Sequence, residues 1–175
     1  REVADADVQL ISGKAREQWN NYLGRVEAEG GTDEQLRTFY SCLYRTLLFP
    51  REFYEFDSQG NPVYYSPYDG NVHDGYMYTD NGFWDTFRAV HPLFTLLYPE
   101  VSERVTQSII NAYNESGFMP EWASPGHRGC MIGNNSVSLL VDAWMKGIQT
   151  VDAEKALEAM IHQTQARHAE IASVG

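Results

Sequence analysis

The stretch from Tyr78 to Pro99, YTDNGFWDTFRAVHPLFTLLYP, decides how the rest of the chain is interpreted. Its polar opening can cap a helix through Asp80 or Asn81, because a short side-chain oxygen accepts hydrogen bonds from amides that lack helical partners. Apolar residues then recur every three or four positions, at Trp84, Phe87, Val90, Phe94 and Leu97. Pro99 cannot continue a helix, so the pattern predicts one amphipathic helix that begins near Asn81 and ends before this proline.

Trp84 and Asp85 are neighbours in the first turn of that helix and should point to different sides. One interpretation is a sugar-binding site, in which the indole offers an apolar platform and the carboxylate accepts hydrogen bonds from hydroxyl groups. The other interpretation is structural, with Trp84 in the core and Asp85 favoured by the helix dipole. The spacing alone leaves both interpretations open.

The composition describes an acidic globular protein. The chain has 175 residues, enough for one domain with a sizeable core, and 43% of them are hydrophobic. Aromatic residues make up 13%, which favours a carbohydrate or other ring-lined surface. The formal net charge is -11, and a negative surface repels phosphate backbones, so nucleic-acid binding is not expected. A membrane span is not expected either, because it needs about 18 consecutive apolar residues.

Cys42 and Cys130 both fall in segments whose pattern places them in the interior. Two thiols do not make a disulfide framework, and their spacing matches no metal motif. We therefore expect two reduced, unbridged cysteines that are buried as small hydrophobic side chains.

Most of the chain shows the spacing of amphipathic helices, and we predict six main helices. One small β-hairpin is expected near 51–66, where EFYEFD and PVYYSP flank a turn, with little other strand. The helices group into successive hairpins over 5–48, 81–116 and 130–170, the first helix running over 5–29 and the fifth over 130–148. Residues 165–175 lose their amphipathic contrast and should fray.

Successive helical hairpins of this kind curve into an α/α toroid, in which inner and outer helices alternate. Six hairpins complete an (α/α)6 toroid, so three hairpins form about half of one. The prediction is therefore an all-α fold, with a single partial toroid domain over 1–175. No short repeat period is visible, which argues against helical solenoids.

A second polar and aromatic loop spans 117–129 and places Glu121 next to Trp122. Glycoside hydrolysis needs two carboxyl groups flanking the bond. The candidate acids on loops or helix ends are Asp69, Asp74, Asp80, Asp85 and Glu121. Asp85 and Glu121 are the best of these, since each lies beside a tryptophan, although binding of hydroxyl groups or helix capping is the simpler explanation for both.

Metal and nucleophile motifs are not recognisable in the sequence. The potential metal ligands His73, Asp74 and His127 do not have the spacing of a known metal-binding motif, so no metal site is predicted. His91 is expected to be a hydrogen-bonded core residue. Arg88, one turn after Asp85, can either orient that carboxylate or contact a substrate.

Four blocks of the chain resemble consecutive blocks of one family, the bacterial calcium-dependent exo-acting α-mannosidases of glycoside hydrolase family 92. The blocks are FYSCLYRTLLFPR (39–51), YTDNGFWDTFRAVHPLFTLLYP (78–99), GFMPEW (117–122) and CMIGNNSVSLLVDAWMKGI (130–148). Their order and gaps also agree, over roughly residues 5–163.

This resemblance implies an α/α toroid behind an N-terminal β-sandwich, with the active site at their junction. It implies release of terminal α-linked mannose, of the α-1,2 type, with inversion and with a Ca²⁺ ion that contacts the sugar. It places Trp84 and Asp85 in the pocket for the terminal mannose, and Glu121 and Trp122 at the rim of that pocket. Mannose-containing oligosaccharides or N-glycans as substrates, and a periplasmic, secreted or cell-surface location in a bacterium, follow from the same family.

The family's general acid, general base and calcium ligands lie in later blocks than this chain contains, and the β-sandwich and the second half of the toroid are also missing from it. We therefore expect a partial catalytic domain without catalytic or metal-binding residues of its own, inactive in isolation. A half toroid exposes apolar helix flanks, so self-association is expected.

Two other classes of function compete with the partial enzyme. The chain could serve as a non-catalytic carbohydrate-binding module, or as a structural helical scaffold. The scaffold interpretation requires Trp84 and Trp122 to be fully buried and Asp85 to be paired only with protein groups.

Overall fold

A computed structural model describes residues 7–166, which contain seven α-helices and three small β-sheets. The helices are α1 Val8–Leu23, α2 Asp33–Thr46, α3 Phe83–Thr86, α4 Val90–Leu97, α5 Pro99–Ser116, α6 Ser136–Met145 and α7 Ala153–Gln165. The strands are β1 Arg51–Glu52, β2 Glu55–Phe56, β3 Pro62–Tyr65, β4 Val72–Asp74, β5 Tyr78–Thr79, β6 Asn81–Gly82 and β7 Trp122–Ala123. The chain divides into two compact units, over 1–48 and 49–175.

The first unit is a helical hairpin formed by α1 and α2. Asp7 caps α1 with its carboxylate, and Thr32 and Gln35 form a capping box at the start of α2. The rings of Trp19 and Tyr44 lie 4.5 Å apart, so aromatic side chains form part of the contact between the two helices. The predicted first helical hairpin is therefore confirmed.

α1 ends at Leu23, although the apolar spacing predicts a helix to residue 29. The hydroxyl of Tyr40, on α2, donates to the carbonyl of Val26 at 2.9 Å and accepts from the amide of Ala28 at 3.3 Å. These contacts satisfy backbone groups that a longer helix would otherwise have paired. The connection between the helices is thus held by a side chain of the second one.

The predicted β-hairpin is present as β2 and β3, which pair antiparallel. Asp57 shapes its turn, because Oδ1 accepts from the amides of Gln59 and Asn61, each at 2.8 Å. β4 adds a third strand to this sheet, and β1 with β5 and β6 with β7 form two further sheets. The expectation of little strand beyond one hairpin is therefore wrong. The additional strands were missed because strands of two residues leave no alternating pattern in the sequence.

The stretch predicted as one central helix forms two helices, α3 and α4. Pro92 lies in the first turn of α4, has no N–H to donate, and its ring crowds the carbonyl four residues earlier, on Arg88. The helix is interrupted one turn before the proline, at Ala89, whose φ is -135°. This interruption separates the Trp84 turn from the apolar remainder of the stretch.

α6 begins at Ser136, six residues later than the predicted start at Cys130. Oδ1 of Asn134 accepts from the amide of Ser136 at 3.2 Å, and the side-chain amide of Asn135 donates to the carbonyl of Ile132 at 3.1 Å. Side-chain contacts of this kind offer the backbone an alternative to helical hydrogen bonds, which explains the shorter helix.

α5 supplies the centre of the core of the second unit, and its predicted inward positions Val105 and Ile109 are buried. Residues from five other parts of this unit pack in the same cluster, among them Tyr78, Phe83, Met119, Leu139, Leu140, Val151, Ala156 and Ala159. The core therefore fixes β5, the first residue of α3 and the beginning of the second polar loop.

Cys42 and Cys130 are free, as predicted, but both are exposed, so the prediction that they are buried is wrong. α2 fully buries only Leu43, and Cys42, one position earlier, lies on a side of the helix that is exposed to solvent. Cys130 precedes α6 and therefore lies on no helix face that could be buried.

Among residues 7–166, no helix is both long and apolar enough to cross a membrane. The fraying predicted for 165–175 falls, from residue 167 onward, outside the described part of the chain.

His91 is a buried, hydrogen-bonded residue of α4, as predicted. Its Nε2 accepts from Nδ2 of Asn81 at 2.9 Å, and Oδ1 of Asn81 accepts from the hydroxyl of Thr86 at 3.0 Å. Burial lowers the pKa of His91 to about 4, so the ring is neutral near pH 7 and Nε2 can accept a hydrogen bond. This network holds β6 against α4.

We expect the free energy of unfolding to fall as the pH is lowered from about 6.5 to about 4. In this range His91 takes up a proton in the unfolded chain but not in the folded one, and the loss should reach about 3 kcal/mol. His91→Gln keeps an acceptor but removes the titration, so its pH dependence should be shallower. Urea unfolding at a series of pH values measures the difference.

His162→Gln is the control for this experiment, because it removes a histidine that is only partly buried. It should retain the steep pH dependence of the wild-type chain. Equal slopes for His91→Gln and the wild type would show that His91 is not the residue responsible.

Candidate functional site

A two-stranded ladder joins the polar opening of the 78–99 stretch to the second polar loop, 117–129. β6 pairs antiparallel with β7, with Gly82 opposite Trp122. The amide of Phe83 extends the contact by donating to the carbonyl of Glu121 at 3.3 Å. The ladder therefore places the first turn of α3 beside the second loop, although α4 and α5 lie between them in the sequence.

Two tryptophans at this ladder are partly exposed. Trp84, in the turn that follows β6, is 38% exposed, and Trp122, in β7, is 36% exposed. Asp85 is exposed as well, in the first turn of α3. The scaffold interpretation requires both indoles to be fully buried, and the structure does not meet that requirement. The three side chains are available to a ligand.

Gly82 provides the space that brings a carboxylate and an indole together. A Cβ atom on this residue would lie 3.0 Å from Oδ2 of Asp85 and 3.8 Å from Cδ2 of Trp122. It would also lie 3.1 Å from Cε of Met131, a residue that sequence reasoning did not assign to the site. An acid from one loop and a ring from the other therefore approach the same glycine. This combination of an acceptor and an apolar face is suited to a polyhydroxyl ligand.

Glu121 lies inside the protein, whereas its neighbour Trp122 is at the surface. Only 2% of Glu121 is exposed, and its Oε2 is buried without a hydrogen-bond partner. Burial raises the pKa of this carboxyl, which favours the neutral form. The buried carboxyl of Glu121 does not fit the predicted position at a pocket rim, whereas for Trp122 that position stays a prediction.

Asp80 fixes the turn that leads into the ladder and does not cap a helix as predicted. Its φ of 57° lies in the left-handed region, which aspartate tolerates better than most residues. Oδ1 accepts from the hydroxyl of Ser124 at 2.9 Å, and Oδ2 pairs with Arg51 at 3.3 Å. The side chain of Asn81 is used by His91, so neither predicted cap is free, and Gly82 occupies the N-cap position of α3.

The second loop folds back on itself directly after Trp122. The amide of Arg128 donates to the carbonyl of Trp122, and the amide of Ser124 donates to the carbonyl of Gly126, each at 2.9 Å. Gly126 also approaches the preceding loop, since a Cβ atom there would lie 3.0 Å from the carbonyl oxygen of Pro67. Trp122 is thus presented from a closed turn.

A separate cluster links the β3–β4 hairpin to α5. Nε2 of His73 lies 2.9 Å from Oδ2 of Asp69, and Glu115 accepts hydrogen bonds from the hydroxyls of Tyr64 and Ser66. The potential ligand atoms of the two acids and the histidine all lie within 4.8 Å of one another. The sequence alone did not reveal this group, because Glu115 is far along the chain from the other two residues.

This cluster does not fit Ca²⁺, which binds six to eight oxygen atoms and not an imidazole nitrogen. Its acids are also engaged within the protein: the amide of Asn71 lowers the pKa of Asp69 to about 2, and each oxygen of Glu115 accepts a hydrogen bond from a hydroxyl group. We therefore assign the cluster a structural role. The other predicted acid of this region, Asp74, is exposed on β4.

The model of the glycosyl hydrolase family 92 catalytic domain matches residues 1–174 of the chain. Among solved structures, the chain is similar to that of the family GH92 α-mannosidase BT3965 from Bacteroides thetaiotaomicron in complex with mannoimidazole, with 29% identity and a TM-score of 0.84. A second structure of the same enzyme gives the same identity and TM-score. A comparison with curated proteins gave no match.

The similarity covers 96% of this chain but only 22% or 23% of the chains in those two structures. The sequence therefore corresponds to less than a quarter of the length of the solved relatives. The family model nevertheless extends over nearly all of it. The chain belongs to glycosyl hydrolase family 92, as part of its catalytic domain.

Proposed function

We propose that this chain is the part of an α-mannosidase that holds the terminal mannose of the substrate. The observation that carries the proposal is the β6–β7 ladder, which brings the indole of Trp122 and the carboxylate of Asp85 to the same residue, Gly82, next to the turn that carries the exposed indole of Trp84. Membership of family 92 supports a glycosidase, and the similar mannosidase in complex with mannoimidazole supports a sugar as the ligand.

Each residue of the site has a distinct task in this proposal. Trp84 and Trp122 offer apolar faces to the C–H groups of a sugar ring. Asp85 accepts hydrogen bonds from ring hydroxyls as an ionised acceptor, the stronger type of acceptor. Glu121 lies deepest, and its buried Oε2, which has no hydrogen-bond partner among the described residues, is suited to a hydroxyl group of the sugar.

The family resemblance supports finer features of the parent enzyme. We propose that it is an (α/α)6 toroid of which this chain forms about half, and that it releases α-1,2-linked mannose with inversion and with help from Ca²⁺. Its proposed substrates are mannose oligosaccharides or N-glycans outside the bacterial cytoplasm. Because this chain spans so little of its relatives, we assign the acid, the base and the calcium ligands to the remainder of the parent.

Replacing Asp85 by Ala in the full-length enzyme should reduce kcat/KM by roughly one to two decades. An ionised acceptor bonded to a hydroxyl contributes about 1.5–3 kcal/mol, and this contribution is lost with the carboxylate. Asp85 is neither acid nor base in this proposal, so the shape of the pH–rate profile should not change. The measurement is kcat/KM against pH for the Ala and Asn variants.

Glu103→Gln is the charge-matched control, because Glu103 is an exposed acid on α5. It should leave kcat/KM unchanged. Loss of one limb of the pH profile in an Asp85 variant would instead place Asp85 in the proton-transfer pair.

The isolated 175-residue chain should show no mannosidase turnover at any pH, because the proposal places both proton-transferring carboxyl groups elsewhere in the parent. Release of mannose from a chromogenic α-mannoside, with the full-length enzyme as positive control, tests this. Turnover that persists in the isolated chain and is lost in Glu121→Gln would place a catalytic acid in this chain.

Gly82→Ala should lower both the melting temperature and kcat/KM, the latter about tenfold. The new methyl group would lie 3.0 Å from Oδ2 of Asp85 and 3.1 Å from Cε of Met131, so both side chains must move. Gly13→Ala, on α1, is the matched control, since a Cβ there meets nothing within 4 Å. It should stabilise the helix by about 0.5–1 kcal/mol without changing kcat/KM. Equal behaviour of the two variants would contradict the assigned role of Gly82.

A further inference from the structure

Arg88 contacts Trp84 in two ways. Its Nη1 donates to the carbonyl oxygen of Trp84 at 2.6 Å, and its guanidinium carbon lies 5.0 Å from the centroid of the Trp84 ring. The same guanidinium carbon lies 4.5 Å from the centroid of the Phe87 ring. Arg88 therefore holds both the backbone and the indole of the same residue.

The backbone contact compensates for the shortness of α3. This helix has four residues, so its carbonyls have few partners within the helix. The side chain of Arg88 satisfies one of these carbonyls from the turn that follows the helix. A planar guanidinium can donate this hydrogen bond in its plane and lay its face against a ring at the same time, a geometry that the compact ammonium group of lysine does not have.

The ring contact restricts how Trp84 can bind a ligand. An indole has two faces, and a cation over one of them occupies it. Trp84 nevertheless remains 38% exposed, so part of the ring is open to solvent. A sugar must then bind to the part of the Trp84 ring that Arg88 does not cover. The same contact holds the indole in one orientation before the sugar binds.

We infer that Arg88 is a positioning residue, which orients Trp84 and selects the ring surface available to the sugar without touching the sugar itself. The inference rests on the proposed function for the use of Trp84, whereas the contact between the two residues does not depend on it. It differs from both roles that the sequence left open for Arg88, orienting Asp85 or contacting a substrate, since the observed partner is Trp84.

The contact can be tested without any sugar, by ¹⁹F NMR of the chain labelled with 5-fluorotryptophan. The chain has 4 tryptophans, and single Trp→Phe variants assign their resonances. Arg88→Met should shift and broaden the Trp84 resonance, and Arg88→Lys should do so less. Lys146→Met removes the same charge from the residue that follows α6, where the ammonium group pairs with Asp142, and should leave the Trp84 resonance in place. An unchanged Trp84 resonance in Arg88→Met would overturn the inference.

The consequence for the ligand is tested in the full-length enzyme. Loss of a cation–π contact at an exposed site corresponds to a change of about two- to fivefold, which should appear in KM and in the Kd for mannoimidazole. The value of kcat and the pH–rate profile should not change, and Arg88→Lys should recover part of the loss. A fall in kcat at constant KM, or an altered pH profile, would show that Arg88 acts on the reacting sugar and would overturn the positioning role.

The two experiments separate failure of this inference from failure of the proposed function. If the wild-type enzyme neither cleaves α-mannosides nor binds mannoimidazole, the proposed function is wrong. A shifted Trp84 resonance would then identify a structural stack, and the sugar-selecting part of the inference would be overturned with the function.

Discussion

The site depends on a backbone ladder of two residues in each strand, β6 and β7. The turn that carries Trp84 and the loop that carries Trp122 are separated by two helices in the sequence, and the ladder joins them together with the hydrogen bond from Ser124 to Asp80. Bringing the two ends of so long a connection together costs conformational entropy, and two hydrogen-bonded pairs of residues alone do not offset that cost. The core around α5 recovers it, because the same packing that buries Ile109 and Phe83 brings the two strands to hydrogen-bonding distance. The ladder then sets the register in which the functional side chains face each other.

The side chains behind the ladder explain how partly exposed tryptophans can be held rigidly. A surface indole loses little rotational freedom if its backbone is fixed and its ring is supported. Asn81 is anchored by neutral His91 in the interior, and Asp80 is anchored by Ser124 and Arg51 at the adjacent turn. The polar groups of this loop are therefore used to fix the backbone, which leaves the carboxylate of Asp85 as the group directed to solvent.

The sequence was sufficient for the elements that have a local cause. Capping residues, glycine turns and apolar spacing predicted most of the helices and the first hairpin, and the motif blocks predicted the family. The sugar-binding role of Trp84 and Asp85 stays a prediction. The sequence could not show contacts between residues that are far apart in the chain and meet only in the folded structure. The ladder is too short to leave an alternating pattern, and the burial of Glu121 depends on packing from other elements. The contact of Glu115 with Tyr64 joins residues far apart in the chain. Pro92 did signal the interrupted central helix, but the apolar spacing across it was the more conspicuous pattern.

The charge of the chain restricts the kind of ligand that this geometry can serve. A net charge of -11, with the exposed carboxylate of Asp85 at the candidate site, disfavours phosphates and other anions. A neutral sugar pays no such penalty, because its hydroxyl groups donate to the carboxylate and its C–H face covers the rings. The guanidinium of Arg88 does not reverse this preference, since it is already placed against Trp84 and Phe87. The same acidic character that argues against nucleic acid is therefore compatible with a polyhydroxyl ligand held by one acid and two tryptophans.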